Sequence, residues 1–353
     1  MKTTVTKERL EAHIAGGEPV IGQSLAGEKL AGMKLAGAIF EKVDFTGSDL
    51  READLRDSVF SECCLDQANL ESARLYDGTF HKCSLNEIRG GAADWTDVAF
   101  NQCAMYRADF SGANLKDTNF VSSSLQDCCF QGAGIDYTVF LEGNLVRPDF
   151  SSTRLHRIVL YKADLTGARL EGASFFLAVL IECRLVGMDL RGIDFTLCQF
   201  YRADVSESDF TGANLTQCSF QEARLRGANL SETEAPNALF IQADLTGAIL
   251  ARSNLYQCNF NEARLEGAVF SGSNGYQTLW QAARCSGARF DGMDLTYADF
   301  SNADLSQTRF DSSTMNRARL HRVMDEGAHI PGRGSALGDD KDQLEAELWR
   351  PGA

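Results

Sequence analysis

Eleven cysteines, five histidines and 49 carboxylates are the side chains of this 353-residue chain that could do chemistry. Clustered thiols and imidazoles would bind zinc or form disulfides, and paired carboxylates would act as general acid and base. Their spacing argues against all three. Read from Leu25 to Leu320 in steps of five, the chain makes 60 stops, and 50 of them are Leu or Phe. With each stop called a centre, Cys63, Cys83, Cys103, Cys128, Cys183, Cys198, Cys218 and Cys258 all lie two residues before one. Ala is the commonest occupant of that position, as at Ala53, Ala113 and Ala213, and Ser and Thr recur there. The position therefore asks for a small inward side chain, which reduced Cys supplies. There is no C-x-x-C, His13 and His329 fall outside the repeat, and His81, His156 and His321 lie far apart. Asp54, Asp109, Asp164, Asp204, Asp209, Asp244, Asp294, Asp299 and Asp304 each precede a centre, so the repeat accounts for them. No metal, cofactor or catalytic constellation is predicted, and the chain is read as non-enzymatic.

A period of five matches neither a helix nor a flat strand, so the chain must turn after every unit. Gly at positions such as Gly27, Gly47, Gly167, Gly212 and Gly247 suits the positive φ of a type II turn. Where Gly is absent, a type I turn accepting Asp, Glu or Gln is expected. Sorting the centres by residue number modulo 20 separates them by size. The column from Phe40 to Leu320 has Phe at 11 of 15 members, while the column from Leu25 to Leu305 has a single Phe. Four units therefore close one coil, like residues stack on like, and about 15 coils are expected.

Units such as Ala113-Asn114-Leu115-Lys116-Asp117 and Ala163-Asp164-Leu165-Thr166-Gly167 fit the pattern A-(D/N)-L-x-x. Over about residues 21–324 the chain resembles the pentapeptide-repeat proteins. That resemblance implies an all-β fold, a right-handed quadrilateral β-helix. Three segments follow: 1–20, a capping helix and linker; 21–324, the β-helix; and 325–353, a linker and acidic tail. The helix is expected at 6–15, capped by Thr6 or Thr4 and stopped by Gly16-Gly17, with Leu10 and Ile14 on the first coil. In the tail, Asp339 to Trp349 reads as a second cap, a homodimer contact or a disordered docking segment. Two coils pair a missing centre with an oversized one, Gly90 with Trp95 and Gly275 with Trp280, and each indole is expected to fill the vacant corner.

The net charge of −15 disfavours direct nucleic-acid binding. No apolar run is long enough to cross a membrane, and the N-terminus has no apolar signal region, so a cytoplasmic setting is expected. One outward stripe is not explained by the repeat. Leu141, Tyr161, Ile181 and Tyr201 follow Phe-column centres, Val139, Val159 and Val179 precede them, and Phe176 and Leu177 turn into the same region. Both flank positions should face solvent, giving an apolar patch beside a ladder of Glu142, Lys162, Glu182, Arg202 and Glu222. The bland account is that Val, Ile and Tyr suit a sheet face. The functional account is a protein-binding surface.

Three roles fit a non-enzymatic scaffold. Residues 8–22 resemble pentapeptide-repeat segments of bacterial type VI secretion accessory proteins, implying an adaptor or chaperone for an effector or spike component. Some members of the pentapeptide-repeat family bind DNA gyrase as acidic mimics of DNA, which is the alternative. A secreted effector with a solenoid scaffold is the third.

Overall fold

The computed structural model describes residues 7–349 and divides into two compact units, Met1–Arg184 and Leu185–Ala353. Both are built on one register. In the first, Phe40 pairs with Phe60 and Phe60 with Phe80, always parallel. In the second, the same step of 20 residues links Asp209 to Asn229 and Arg289 to Arg309. Centres point inward and are buried, and the two residues flanking each centre point outward.

The first unit is a parallel β-solenoid of about 8 turns. The Phe-column side forms a nine-stranded parallel sheet that begins with Val20–Ile21 and ends with Val179–Ile181. A second, three-stranded sheet of Gly134–Asp136, Arg154–His156 and Ser174–Phe176 occupies the preceding side of the last coils. The expected count of about 15 coils in one stack is not matched. The division falls where sheet gives way: beyond Ile181 the described coils are joined by single-residue bridges rather than strands.

The corners differ from expectation too. Non-glycine residues there are not in type I turns; Asp57, Glu62 and Gln102 have φ of 57°, 53° and 54°. The stack imposes this conformation, because it aims the corner N–H at the next coil, as from Asp57 to Tyr76 O at 3.0 Å and from Gln102 to Val121 O at 2.9 Å.

The small inward position has a second requirement beyond size. Its side chain donates a hydrogen bond to the centre carbonyl of the coil before: Ser58 to Leu35 O at 3.0 Å, Thr118 to Trp95 O at 2.8 Å, Cys128 to Met105 O at 2.8 Å and Cys258 to Ala235 O at 2.9 Å. Hydroxyl and thiol therefore interchange at these sites with the polar hydrogen paired, whereas the buried Ser48 Oγ in the same position finds no partner. All eleven cysteines are free. Burial pushes the Cys183 and Cys258 thiols up to about 12. In the folded protein at mildly alkaline pH, both should resist iodoacetamide, while the half-exposed Cys64 and Cys129 label first. Peptide mass spectrometry reads the order, and early labelling of Cys258 would contradict it.

Helix α1 (Lys7–Ala15) buries Leu10 and Ile14, and Glu11 accepts a hydrogen bond from Lys34 N at 3.0 Å. Gly17, at φ 73°, ends it with its N–H on Ile14 O. The expected caps Thr4 and Thr6 lie outside the described residues. At the other end, Leu337 exchanges backbone hydrogen bonds with Ala318 and Leu320, adding one rung to the last coil. Helix α2 (Lys341–Leu348) follows, capped by Asp340, whose side chain accepts from Gln343 N. It is pinned by its polar side. Glu347 meets Arg322 at 2.8 Å and the buried His321 at 3.3 Å, while Leu348 and Trp349 stay exposed.

Arg322, then Gln343 and His321, hold the Glu347 carboxyl down to about 2. A carboxylate depressed in the folded state contributes stability above its unfolded value of about 4.3 and loses it as pH falls through the folded one. Docking of α2 should therefore persist through mild acid and loosen as pH approaches about 2. Anisotropy of Trp349, the exposed tryptophan beside buried Trp95 and Trp280, would report it. Release already near neutral pH would contradict the assignment.

Candidate interaction surface

The aspartates that precede centres are turn residues. Asp44, Asp164, Asp204 and Asp304 each accept the N–H two residues on, at 3.0, 2.9, 3.1 and 2.9 Å. This local bond closes the corner and explains the repeat's preference for Asp there. Many carboxylates are also neutralised from an adjacent coil or the same corner, as in Arg147–Asp127 at 2.8 Å, and Asp54 is held between Arg56 and Arg74. Among the described residues, no group of three His, Cys, Asp or Glu side chains is placed to hold a metal ion. Nor is any described helix long and apolar enough to cross a membrane.

The stripe residues of the first unit come together on the large sheet. Leu141, Tyr161 and Ile181 are register partners on successive coils, and so are Val139, Val159 and Val179. The buried Phe140, Leu160 and Leu180 alternate with them, so both rows project from one face. They are half-buried rather than open to solvent, because each covers its neighbour one coil away. Lys162 lies over the Tyr161 ring at 4.9 Å and reaches Glu142 at 3.8 Å, so that part of the charge ladder is formed.

The more exposed apolar residues lie at the adjoining corner. Phe176 ends the last strand of the small sheet, and Leu177 follows at φ 54° with 41 % of its surface exposed. In the same corner column, Tyr137 is 48 % exposed. Arg157 sits over its ring at 4.3 Å, donates to its hydroxyl at 2.8 Å and pairs with Asp136. Tyr137 and Arg157 were not singled out by the stripe pattern, which follows Phe-column flanks. Their signal was the corner column itself, where an aromatic or a Leu replaces the usual Gly or polar residue.

Tyr201 belongs to the second unit. There its hydroxyl donates to Glu222 at 3.2 Å, and Arg202 both covers its ring at 4.9 Å and pairs with Glu222 at 2.8 Å.

The family description Pentapeptide repeat region matches residues 33–110 and 193–270, and Pentapeptide repeats (8 copies) matches segments that include 94–133, 158–196 and 283–322. The chain is a pentapeptide-repeat protein. Proteins of this family are generally non-enzymatic scaffolds. Among solved structures, this pentapeptide-repeat protein is similar to QnrB1, a plasmid-mediated fluoroquinolone resistance protein, at 20% identity over 59% of this chain and 93% of that one, with a TM-score of 0.32. It is also similar to HetL, a pentapeptide repeat protein involved in heterocyst differentiation regulation from the cyanobacterium Nostoc, at 22% identity over 85% and 95% of the two chains, with a TM-score of 0.18. These likenesses concern the fold alone. No curated protein sequence matches the chain.

Proposed function

We propose that this pentapeptide-repeat protein is a non-enzymatic interaction scaffold whose first unit binds a protein partner. The binding surface is the sheet face around Tyr161 together with the corner around Phe176 and Leu177. Leu177 is the observation that carries this reading. A left-handed backbone costs an L-residue roughly 1–2 kcal/mol, and Leu177, with 41 % of its surface exposed, recovers less by burial than an inward residue would. Asp, Gln or Gly would serve the corner as well, so folding alone gives no reason for Leu. Val, Tyr and Ile on the large sheet, and Phe176 at the end of its strand, have such a reason in β-propensity; Leu177 does not.

In a cell this reading becomes an adaptor or chaperone in the cytoplasm, a compartment that suits eleven free thiols. A type VI secretion role rests on residues 8–22 alone, which precede the family match starting at residue 33. The alternative, a gyrase-binding mimic of DNA, is weakened by the arginines that neutralise the carboxylates of adjacent coils. The test uses the full chain as bait in its native host. Tyr161→Asp with Ile181→Asp, and separately Leu177→Asp, should each lose the captured partner while circular dichroism and the unfolding midpoint hold. A partner retained by both variants, or inhibition of gyrase supercoiling by both, would overturn the proposal.

A further inference from the structure

The second unit of this acidic protein carries an open hollow beside a column of tyrosines. Tyr256 and Tyr276 stack on successive coils with centroids 5.9 Å apart and ring planes 7° from parallel. Tyr276 meets Tyr297 edge-on at 5.7 Å. At the adjoining corner Gln257 donates its amide to Gln277 Oε1 at 2.8 Å. Gln257, Gln277, Leu279 and Tyr297 line an open hollow of about 400 Å³, within the size range of small-ligand sites. Among the described residues, neither the Tyr297 hydroxyl, the Gln257 Oε1 nor the Gln277 Nε2 has a hydrogen-bonding partner. Arg317 rests over the Tyr297 ring at 5.9 Å and helps hold it upright, so the ring stays 47 % exposed.

The chemistry of this lining selects a ligand class. Two amides, a phenol and an isobutyl group carry no charge at neutral pH, so the lining itself offers no counter-charge, and the bordering Arg317 guanidinium lies against the Tyr297 ring. An amide supplies a donor and an acceptor together, which matches a hydroxyl that also does both. The face of a tyrosine ring accepts C–H groups, and its hydroxyl adds a further polar contact. Hydroxyl-rich edges alternating with C–H faces are the signature of a neutral sugar. Gln257 and Gln277 place the amide twice, at the coil spacing of about 4.8 Å, so two consecutive units of one chain would each meet an amide before Tyr297. We propose that this hollow is a binding site for a neutral oligosaccharide.

This site lies in the second unit and is independent of the partner surface on the first. The full chain would be titrated calorimetrically with uncharged hexasaccharides, namely α-linked glucan, β-linked glucan and mannan, alongside an acidic uronan and a polyproline peptide. Saturable binding of a neutral glycan is expected, weakened at least tenfold by Tyr297→Ala and by Gln277→Ala at an unchanged melting temperature. Tyr161→Asp should leave it intact, which separates this site from the partner surface. The proposal is overturned if no neutral glycan binds, if both hollow variants bind as well as the parent, or if only the uronan or the polyproline peptide is bound.

Discussion

Trp280→Ala should destabilise the protein by about 3–5 kcal/mol, the range for deleting a large buried aromatic. Trp280 is fully buried in the Phe column, stacked between Phe260 at 4.3 Å and Phe300 at 5.4 Å. Phe270 and Phe290 meet it edge-on at 5.0 and 5.3 Å. Alanine would remove the ring from four aromatic contacts at once and leave a void closed above and below by coils that cannot collapse without breaking register. Trp280→Phe is the control. Phe is the column's usual residue and keeps the ring stack, though it is smaller and gives up the indole N–H bond to Thr278 Oγ1 at 2.7 Å, so a loss clearly below that of Ala is expected. Denaturant unfolding followed by circular dichroism measures both. An alanine variant as stable as the phenylalanine variant would show that the stack relaxes, contrary to expectation.

The second large effect is a coupling between Gly90 and Trp95. A Cβ on Gly90 would lie 2.9 Å from Trp95 Cζ2 and 3.2 Å from Asp109 O, and the indole donates to Gly90 O at 3.2 Å. The indole therefore occupies the corner that a normal centre would fill. Gly90→Leu alone should cost about 1–3 kcal/mol through overpacking, and Trp95→Leu alone should cost about 2–5 kcal/mol by opening a cavity. The double variant restores Leu at both centres, as in Leu70 and Leu75, and should recover up to about 3 kcal/mol of the summed loss. Simple additivity of the two losses would refute volume exchange. The matching cycle at Gly275 should show no such recovery from Trp280→Phe. There the atoms nearest an added Cβ are Met293 Cε at 2.7 Å and Leu295 Cδ2 at 3.0 Å, on the following coil.

Those two glycines mark how far the chain could be read. The five-residue period and its sorting by twenty define the inward centres, their register and the four-sided coil, because large and small residues must alternate regularly to fill a repeating core. What fills a vacancy at Gly275 was not legible, since compensation there comes from the neighbouring coil rather than from the same one. The donor role of the small position was also hidden: Ala, Ser, Thr and Cys share a size, and only the carbonyl 23 residues earlier shows why three of them carry a polar hydrogen. Corner conformation was misjudged because the preferences of isolated turns ignore the pull of the adjacent coil. Of the surface, the Val139, Tyr161 and Ile181 rows follow from alternation alone. The greater exposure of Leu177 and Tyr137 does not, because it depends on where the sheet ends and the corner begins.

The constant register has a kinetic consequence. Inter-coil bridges join residues 20 apart from Ser24 with Asp44 to Arg309 with His329, and the final rung, Arg319 with Leu337, joins residues 18 apart. Folding speed tracks the sequence separation of contacts, and here that separation never grows. Each coil needs only its predecessor as a template, so growth is a nearest-neighbour process that can advance while the chain is still being synthesised. α1 precedes the coils in the chain and packs on the first of them, which favours propagation in one direction. A lesion that blocks one coil should then leave the coils before it folded and those after it unformed, giving a ladder of truncated species rather than all-or-none loss.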